Sequence, residues 1–342
     1  MDWLSDIKVV DLSVNAPGPY ASMMLAEMGA QVIAVSNPAV AGGPAYAGDA
    51  DDPLLGARGG PGDALQRGKE RKALDLKTAE GREQLLVLLD DADVLISEMR
   101  PGKLAALGLG WETLSPRCPR LILCEISGYG SRHSLADRAG HDINYIARAG
   151  FLDLVRDASD RPVIPQNLVA DYAAGGTMAV TAILGALHAR GRTGQGTRLD
   201  LSMTEGVRYL MSDIAAATAL RGHPSAAWRQ SLGGGMPTYA VYETADGGWM
   251  AVGALEPKFI AILADALEWP ALSGLMADRA GWAEARAGLK ERFATRSRAA
   301  WEALFDPLDA CVAPVRSVDE DPPGALARLT TVFGLTGAAE AD

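Results

Sequence analysis

Three side chains in this sequence have the types that general acid–base chemistry needs. His141 lies in the segment GHDINY, Asp171 precedes an apolar helical segment, and Glu256 stands directly before Pro257. Each also has a structural interpretation: a hydrogen-bonded histidine, a helix N-cap and a favourable contact with a helix dipole. A carboxylate at a helix start can have both roles, because the free N–H groups there can also hold a developing oxyanion. The residue types therefore allow proton transfer, and the structural interpretations stay open at this point.

The sequence has few signals for other chemistry. Its three cysteines, Cys118, Cys124 and Cys311, are scattered without metal-ligand or redox spacing. It contains no P-loop, serine nucleophile elbow or metal-binding histidine pair. The turn at residues 15–19 has prolines where a dinucleotide site needs glycines, and residues 36–37 provide no acid for a ribose. A nicotinamide site is therefore not expected.

Alternating strand-like and helix-like segments surround the candidate residues. Residues 7–12 and 31–35 predict two strands on either side of a helix at 20–28. Residues 94–97 and 121–126 predict two further strands, and a helix is predicted from Asp171 onwards. This alternation predicts an α/β fold, with a large Rossmann-like domain built on a parallel sheet that helices cover on both faces.

A smaller α+β domain is predicted towards the C-terminus. Strand-like segments at 238–242 and 249–252 flank the turn ADGG, which indicates a hairpin. We predict a large domain over residues 1–220 to which 318–342 returns, a linker at 221–237 and a small domain over 238–317. The segment 40–62, dense in Gly, Ala, Pro and Asp, is predicted to be a long loop.

Composition narrows the classes of partner. The net charge is −11, whereas phosphate-backbone binding needs a dense basic surface, so nucleic acid is not expected. Local clusters at Arg67 with Lys69 and at Arg100 with Lys103 are compatible with a small polyanion such as coenzyme A. The apolar stretches are shorter or more polar than a membrane span, and the N-terminus shows no secretion signal. We expect a cytoplasmic enzyme that does not enter membranes.

An ordered set of motifs resembles the family III coenzyme A transferases, and within them the α-methylacyl-coenzyme A racemase branch. The central match is GHDINY at 140–145, followed by Asn167-Leu168 and Asp171. Supporting matches run along most of the chain: RGK at 67–69, ALDLK at 73–77, RPG at 100–102, LGLG at 107–110, SGYG at 127–130, VGALEP at 252–257 and DACVAPV at 309–315.

The resemblance implies an isomerase of lipid and fatty acid metabolism. It would invert the α-carbon of 2-methyl-branched acyl-coenzyme A thioesters by two-base proton transfer through an enolate. His141 and Asp171 would be the two acid/base groups, and Glu256 would be hydrogen-bonded near them. Asp142 and Asn167 would belong to the polar shell around the thioester.

The resemblance also implies which residues contact coenzyme A and how the subunits assemble. Arg100 matches an arginine at the coenzyme A entrance, and Arg67 and Lys69 are candidate contacts for the same group. No metal and no redox cofactor are implied, because coenzyme A is part of the substrate. The expected assembly is an interlocked homodimer in which each site lies between the large domain of one subunit and the small domain of the other.

Two alternatives stay open. In a coenzyme A transferase of the same fold, Asp171 would attack the thioester as a nucleophile, and no second base would be needed. His141 favours the racemase. A non-catalytic acyl-coenzyme A-binding homologue is the other alternative, since residues 36–38, 130–134 and 40–62 depart from the family pattern. The presence of His141, Asp171 and Glu256 together favours an enzyme.

Overall fold

The computed structural model describes residues 1–38, 63–157, 159–222, 231–320 and 328–334. The loop predicted at 40–62, and parts of the predicted linker and C-terminal return, lie outside these residues. The chain divides into two compact units. The first unit comprises Met1–Leu152, Val163–Ser212 and Ala327–Asp342, and the second comprises Asp153–Pro162 and Asp213–Leu326.

A six-stranded parallel sheet forms the first unit, which confirms the predicted α/β class. The strands lie in the order β3-β2-β1-β4-β5-β6, the order of doubly wound nucleotide-binding folds. The central strands are runs of branched aliphatic residues and are almost completely buried, as expected when helices cover both faces. The strand bounds are Lys8–Asp11, Gln31–Ser36, Lys69–Ala73, Val94–Ser97, Ile122–Ser127 and Thr197–Ser202 for β1 to β6.

Along the chain of the first unit, helices alternate with the strands. Two separate apolar cores, one on each face of the sheet, contain alternate side chains of β1: Val9 in one and Val10 in the other. The helix bounds are Pro17–Glu27 (α1), Ala79–Leu89 (α2), Lys103–Ala106 (α3), Trp111–Arg117 (α4), Asp142–Ala149 (α5), Phe151–Leu154 (α6), Met178–Thr193 (α7), Met203–Leu210 (α8), Ser212–Arg221 (α9) and Leu329–Val332. Of these, α6 ends in the second unit, and α9 belongs to the second unit from Asp213 onwards. A short 3₁₀ turn covers Ala64–Gln66.

A π-helical segment, Leu168–Thr177, runs directly into α7. Its glycines allow close packing on α1: a Cβ added at Gly176 would lie 2.6 Å from Cδ1 of Tyr20. The combined helix Leu168–Thr193 has 26 residues and contains an 18-residue window with a mean hydropathy of 1.3, which would by length and composition permit a membrane span. Its buried residues belong to the apolar core of the first unit, as those of a core helix do.

The second unit contains a three-stranded antiparallel sheet in the order β7-β8-β9, with bounds Tyr239–Glu243, Trp249–Gly253 and Val312–Pro314. β7 and β8 form the hairpin that the sequence predicted, with Gly247 at a φ of 78° in its turn. Phe293 packs between Tyr242 and Trp301 in the core of this unit. The helices are Pro257–Ala266 (α10), Ala271–Met276 (α11), Trp282–Phe293 (α12) and Arg298–Phe305 (α13).

Candidate active site

A cavity of about 670 Å³ opens at the carboxyl ends of β1, β4 and β5. The strand order reverses between β1 and β4, and the loops that follow these two strands both line the cavity. Asn15 to Pro17 line it from the turn after β1, and Glu98 and Arg100 line it from the loop after β4. The cavity therefore lies at the topological switch point, where proteins of this architecture bind their ligands.

His141 stands at the N-terminus of α5 and lines this cavity. Its backbone N–H donates to Oδ1 of Asn144 at 3.0 Å, so the helix start is fixed by the GHDINY segment itself. The hydroxyl of Tyr145 donates to the carbonyl of Gly140 at 2.5 Å. Residue 140 must be glycine here, because an added Cβ would lie 2.7 Å from Cε1 of Tyr145. The backbone of His141 is therefore fixed at the cavity wall by hydrogen bonds within its own helix start.

The carboxylate of Asp142 is 3% exposed and connects two parts of the site. Its Oδ2 accepts from the backbone N–H of Ala170 at 2.6 Å and of Asp171 at 2.9 Å. Its Oδ1 has no hydrogen-bond partner among the described residues. Burial raises the pKa of Asp142, and the two backbone donors oppose that change. Asp142 thus joins the segment that carries His141 to the segment that carries Asp171.

Asp171 lies in the first turn of the π-helical segment and lines the same cavity. Its Oδ2 accepts from Nδ2 of Asn167 at 3.0 Å. The predicted N-cap position is wrong, because the helix begins at Leu168, and Asn167 occupies the cap. Gln166, just before it, has a φ of 58°, a left-handed backbone that is uncommon outside glycine.

Glu98 is a cavity residue that the sequence reasoning missed. It follows β4 directly, and its carboxylate accepts from the backbone N–H groups of Val14 at 3.2 Å, Asn15 at 2.9 Å and Gly18 at 2.5 Å. Burial raises the pKa of Glu98 to about 7, against the opposing effect of these donors. An acidic residue directly after the buried run VLIS was the available signal, since strand ends in parallel sheets face the ligand crevice.

A second cavity of about 600 Å³ shares Asn15, Glu98 and Arg100 with the first. Apolar side chains from the ends of β1 and β2 and from the segment after β3 line it, together with Ser36 and Asn37. Lys77 and Lys103 add positive charge at its wall. An apolar cavity with basic residues beside it suits an aromatic group that carries phosphates.

Arg67 and Lys69 lie outside the linings of both cavities. The ammonium of Lys69 is completely buried, donates to the carbonyl of Pro19 at 2.8 Å and pairs with Asp11 at 3.4 Å. Burial lowers the pKa of Lys69 despite this partner. The guanidinium of Arg67 contacts Glu27 at 2.5 Å. These contacts support the turn after β1 and the start of β3, so the structure gives both residues structural partners.

Glu256 belongs to the second unit, where it is the exposed residue directly before α10. Pro257 follows at the first helical position, and the carbonyl of Glu256 accepts from the N–H of Phe259 and of Ile260. This is the helix-start position that the sequence indicated.

Of the predicted site residues, the structure brings five together in one cavity of the first unit: Arg100, His141, Asp142, Asn167 and Asp171.

The fold and the cavity together define a class of protein: an α/β protein of nucleotide-binding topology with acid–base residues at its switch point. Among the described residues, no group of three or more His, Cys, Asp or Glu side chains is arranged to hold a metal ion. The side chains available for chemistry in the cavity are an imidazole (His141) and three carboxylates (Glu98, Asp142 and Asp171), together with backbone amides.

The chain belongs to the CoA-transferase family III, whose model matches residues 4–322. It is 39% identical over 324 residues to the α-methylacyl-CoA racemase of Homo sapiens and 38% identical to that of Mus musculus. Each alignment covers 93% of this chain and 78% of the relative. The crystal structure of a CAIB/BAIF family protein from Brucella suis has a TM-score of 0.76 at 27% identity, covering 92% of this chain and 85% of that chain.

Proposed function

We propose that this protein is a racemase of 2-methyl-branched acyl-coenzyme A thioesters. The observation that carries the proposal is that His141 and Asp171 line one cavity and are linked through the buried carboxylate of Asp142. The similarity to racemases of mouse and human supports the same assignment. A transferase nucleophile would need no imidazole in the same cavity, so His141 favours racemisation over acyl transfer.

The proposed reaction moves one proton off the α-carbon and returns another to the opposite face. With one enantiomer, the carboxylate of Asp171 takes the α-proton to give the enolate, and protonated His141 then donates its own proton to the opposite face; the roles reverse with the other enantiomer. Asn167 orients the carboxylate of Asp171 through its 3.0 Å hydrogen bond. Neither group forms a covalent bond to the substrate, so no acceptor acid is consumed.

The intermediate enolate needs hydrogen-bond donors at its oxygen. The sequence pointed to the amides at the start of the Asp171 helix, but those of Ala170 and Asp171 already donate to Asp142. The amides of Asp142 and Ile143, in the first turn of α5, have no intrahelical acceptor, and both residues line the cavity. We assign the oxyanion site to these two amides, where the α5 dipole adds to the stabilisation.

We place coenzyme A across the two adjoining cavities, with its adenine ring in the second cavity and its thioester end in the cavity that contains His141. The apolar second cavity suits the adenine ring, and Lys77, Lys103 and Arg100 lie where its phosphates would be neutralised. In this placement the pantetheine arm runs along Asn15, Glu98 and Arg100, which line both cavities, and reaches His141. Because coenzyme A is part of the substrate, the proposed reaction needs no separate cofactor.

The assembly that we propose is a homodimer. One face of the second unit's sheet carries exposed apolar side chains: Val241 is 58% exposed, Trp249 42% and Val315 43%. The strand register puts all three on the same face, because Val241 pairs with Ala251 and Trp249 stands two residues before Ala251 on β8. These exposed apolar side chains, with Glu243 opposite Trp249 on the same face, suit an interface with a second copy. Sedimentation of the Trp249→Arg variant should show dissociation relative to the unchanged protein.

The proposed function is tested with one enantiomer of a 2-methylacyl-coenzyme A in deuterated water and without an acceptor acid. We expect deuterium at the α-carbon together with the opposite enantiomer. If label and inversion are both absent and added carboxylates restore turnover as acyl transfer, Asp171 is a nucleophile and the racemase assignment is wrong. If nothing happens in either assay while the thioester still binds, the protein is a non-catalytic acyl-coenzyme A-binding homologue.

A further inference from the structure

The turn between β1 and α1 is built like an anion site but contains no phosphate-binding motif. Among residues 14–19, Pro17 and Pro19 have no N–H group, which leaves few backbone donors at the start of α1. Three of these donors, on Val14, Asn15 and Gly18, all point to one acceptor. Clustered amides at a helix start normally receive the phosphate of a ligand in this fold class.

The acceptor is the side chain of Glu98, from the other strand at the switch point. Its Oε1 takes the N–H of Gly18, and its Oε2 takes those of Val14 and Asn15. Gly18 permits this approach, because a Cβ there would lie 2.3 Å from the side chain of Ser13 and 3.1 Å from Cδ of Glu98. Both oxygens are therefore used in fastening the turn.

The fastened turn forms part of the wall of both cavities. Asn15 lines the two cavities, and Ala16 and Pro17 line the one that contains His141. Just before the turn, the carboxylate of Asp11 at the end of β1 accepts from Ser13 N–H at 2.8 Å. The turn is therefore held both by Glu98 and by Asp11. A change in the position of this turn would alter the wall that the two cavities share. It would not change the position of His141, which depends on the start of α5.

We infer that Glu98 is a positioning residue of the ligand site: its carboxylate occupies the amide cradle that a ligand phosphate occupies in related nucleotide-binding folds, and it thereby holds the Val14–Gly18 turn against the substrate path. The inference rests on the proposed function only for its substrate. It follows that the diphosphate of coenzyme A does not bind at this turn. It also follows that Glu98 contributes to binding of the thioester more than to proton transfer.

Hydrogen exchange tests the inference without any activity. In Glu98→Ala, the amides of Val14, Asn15 and Gly18, followed in the peptide that spans residues 12–24, should exchange at least tenfold faster than in the unchanged protein. Glu98→Gln keeps one carbonyl oxygen as acceptor and should lie between the two. Glu125→Gln is the matched control, because Glu125 lies on neighbouring β5 and its carboxylate pairs with Arg198 at 2.6 Å instead of with backbone amides. Unchanged exchange in Glu98→Ala would overturn the inference.

Steady-state kinetics and rescue complete the test. We expect Glu98→Ala to raise KM for a 2-methylacyl-coenzyme A about tenfold or more while kcat falls less than threefold, and Glu125→Gln to change neither. Acetate added to Glu98→Ala should enter the vacant cradle and lower KM in a saturable manner, with no effect on the unchanged protein. A fall in kcat at constant KM, or no response to acetate, would show that Glu98 does not act through the turn. If the unchanged protein lacks racemase activity, the proposed function fails while the exchange result still decides the role of Glu98.

Discussion

Replacement of Asp142 by alanine tests whether one buried carboxylate keeps the two proposed bases in place. Oδ2 of Asp142 accepts from the amides of Ala170 and Asp171 at 2.6 and 2.9 Å. Asp142 also follows His141 directly in the chain, so its removal releases the backbone of Asp171 from the backbone of His141. We expect loss of both stability and activity.

The size of the stability loss follows from the two donors. A hydrogen bond to a charged group contributes about 1.5–3 kcal/mol, so two such bonds contribute about 3–6 kcal/mol. Burial of the carboxylate, which raises the pKa of Asp142, opposes part of this contribution. We therefore expect Asp142→Ala to lower the free energy of unfolding by about 2–4 kcal/mol. Asp142→Asn retains one oxygen as acceptor and should lose less than half as much.

The expected effect on catalysis is larger for alanine than for asparagine. A displacement of about 1 Å between reacting groups costs about 100-fold in rate. We expect kcat/KM for racemisation to fall by about 100-fold or more in Asp142→Ala, in both directions, and by less than about tenfold in Asp142→Asn. Urea unfolding followed by circular dichroism gives the stability, and chiral chromatography of the thioester gives the rate. Equal losses in the two variants, or a destabilised alanine variant with unchanged kcat/KM, would refute this reasoning.

Three further predictions concern the surroundings of the site. Burial raises the pKa of Glu98 to about 7 from 4.5, so this group's contribution to stability is present below pH 4.5 and is lost as pH rises to 7. Glu98→Gln should remove up to about 3 kcal/mol of that pH dependence in urea unfolding, and an unchanged slope would contradict it. Gly128→Ala places a Cβ 2.2 Å from Cε1 of Tyr145 and should cost about 1–3 kcal/mol. Gly185→Ala, with open space around its helical position, is the control and should not destabilise. Lys69→Met leaves a buried carboxylate without its ammonium and should cost about 3–5 kcal/mol by the same assay; a loss below about 1 kcal/mol would show that the pair is not important.

Periodicity and residue type predicted the class of fold but not all of its details. Runs such as VLIS at 94–97 indicate central strands, because a strand covered on both faces is apolar at nearly every position and does not alternate. Strand order is not contained in such a run, since every buried strand has the same pattern. The hairpin at 239–253 was predictable because its turn requires the glycine at position 247.

The candidate site was predictable where a residue's role depends on local sequence. His141 and Asn144 form one helix start, so their spacing carries the information. Asp171 was placed at a helix N-terminus, but the helix begins at Leu168 and has π-helical spacing, which a search at ordinary helical period does not detect. Lys69 was predicted as a candidate contact for coenzyme A, and its pairing with Asp11 could not be predicted because the two residues are distant in sequence. Glu98 was missed for the same reason: its three donors come from the turn after another strand.

The central claim is that His141 and Asp171 each act on one enantiomer, and His141→Ala tests it most directly. Each enantiomer of a 2-methylacyl-coenzyme A is incubated separately with this variant in deuterated water, and α-deuterium and configuration are measured. Since Asp171 remains, we expect deuterium to enter one enantiomer with retention of configuration while the other exchanges at least about 100-fold more slowly. Equal exchange from both enantiomers, or equal loss from both, would contradict the assignment of two bases to opposite faces.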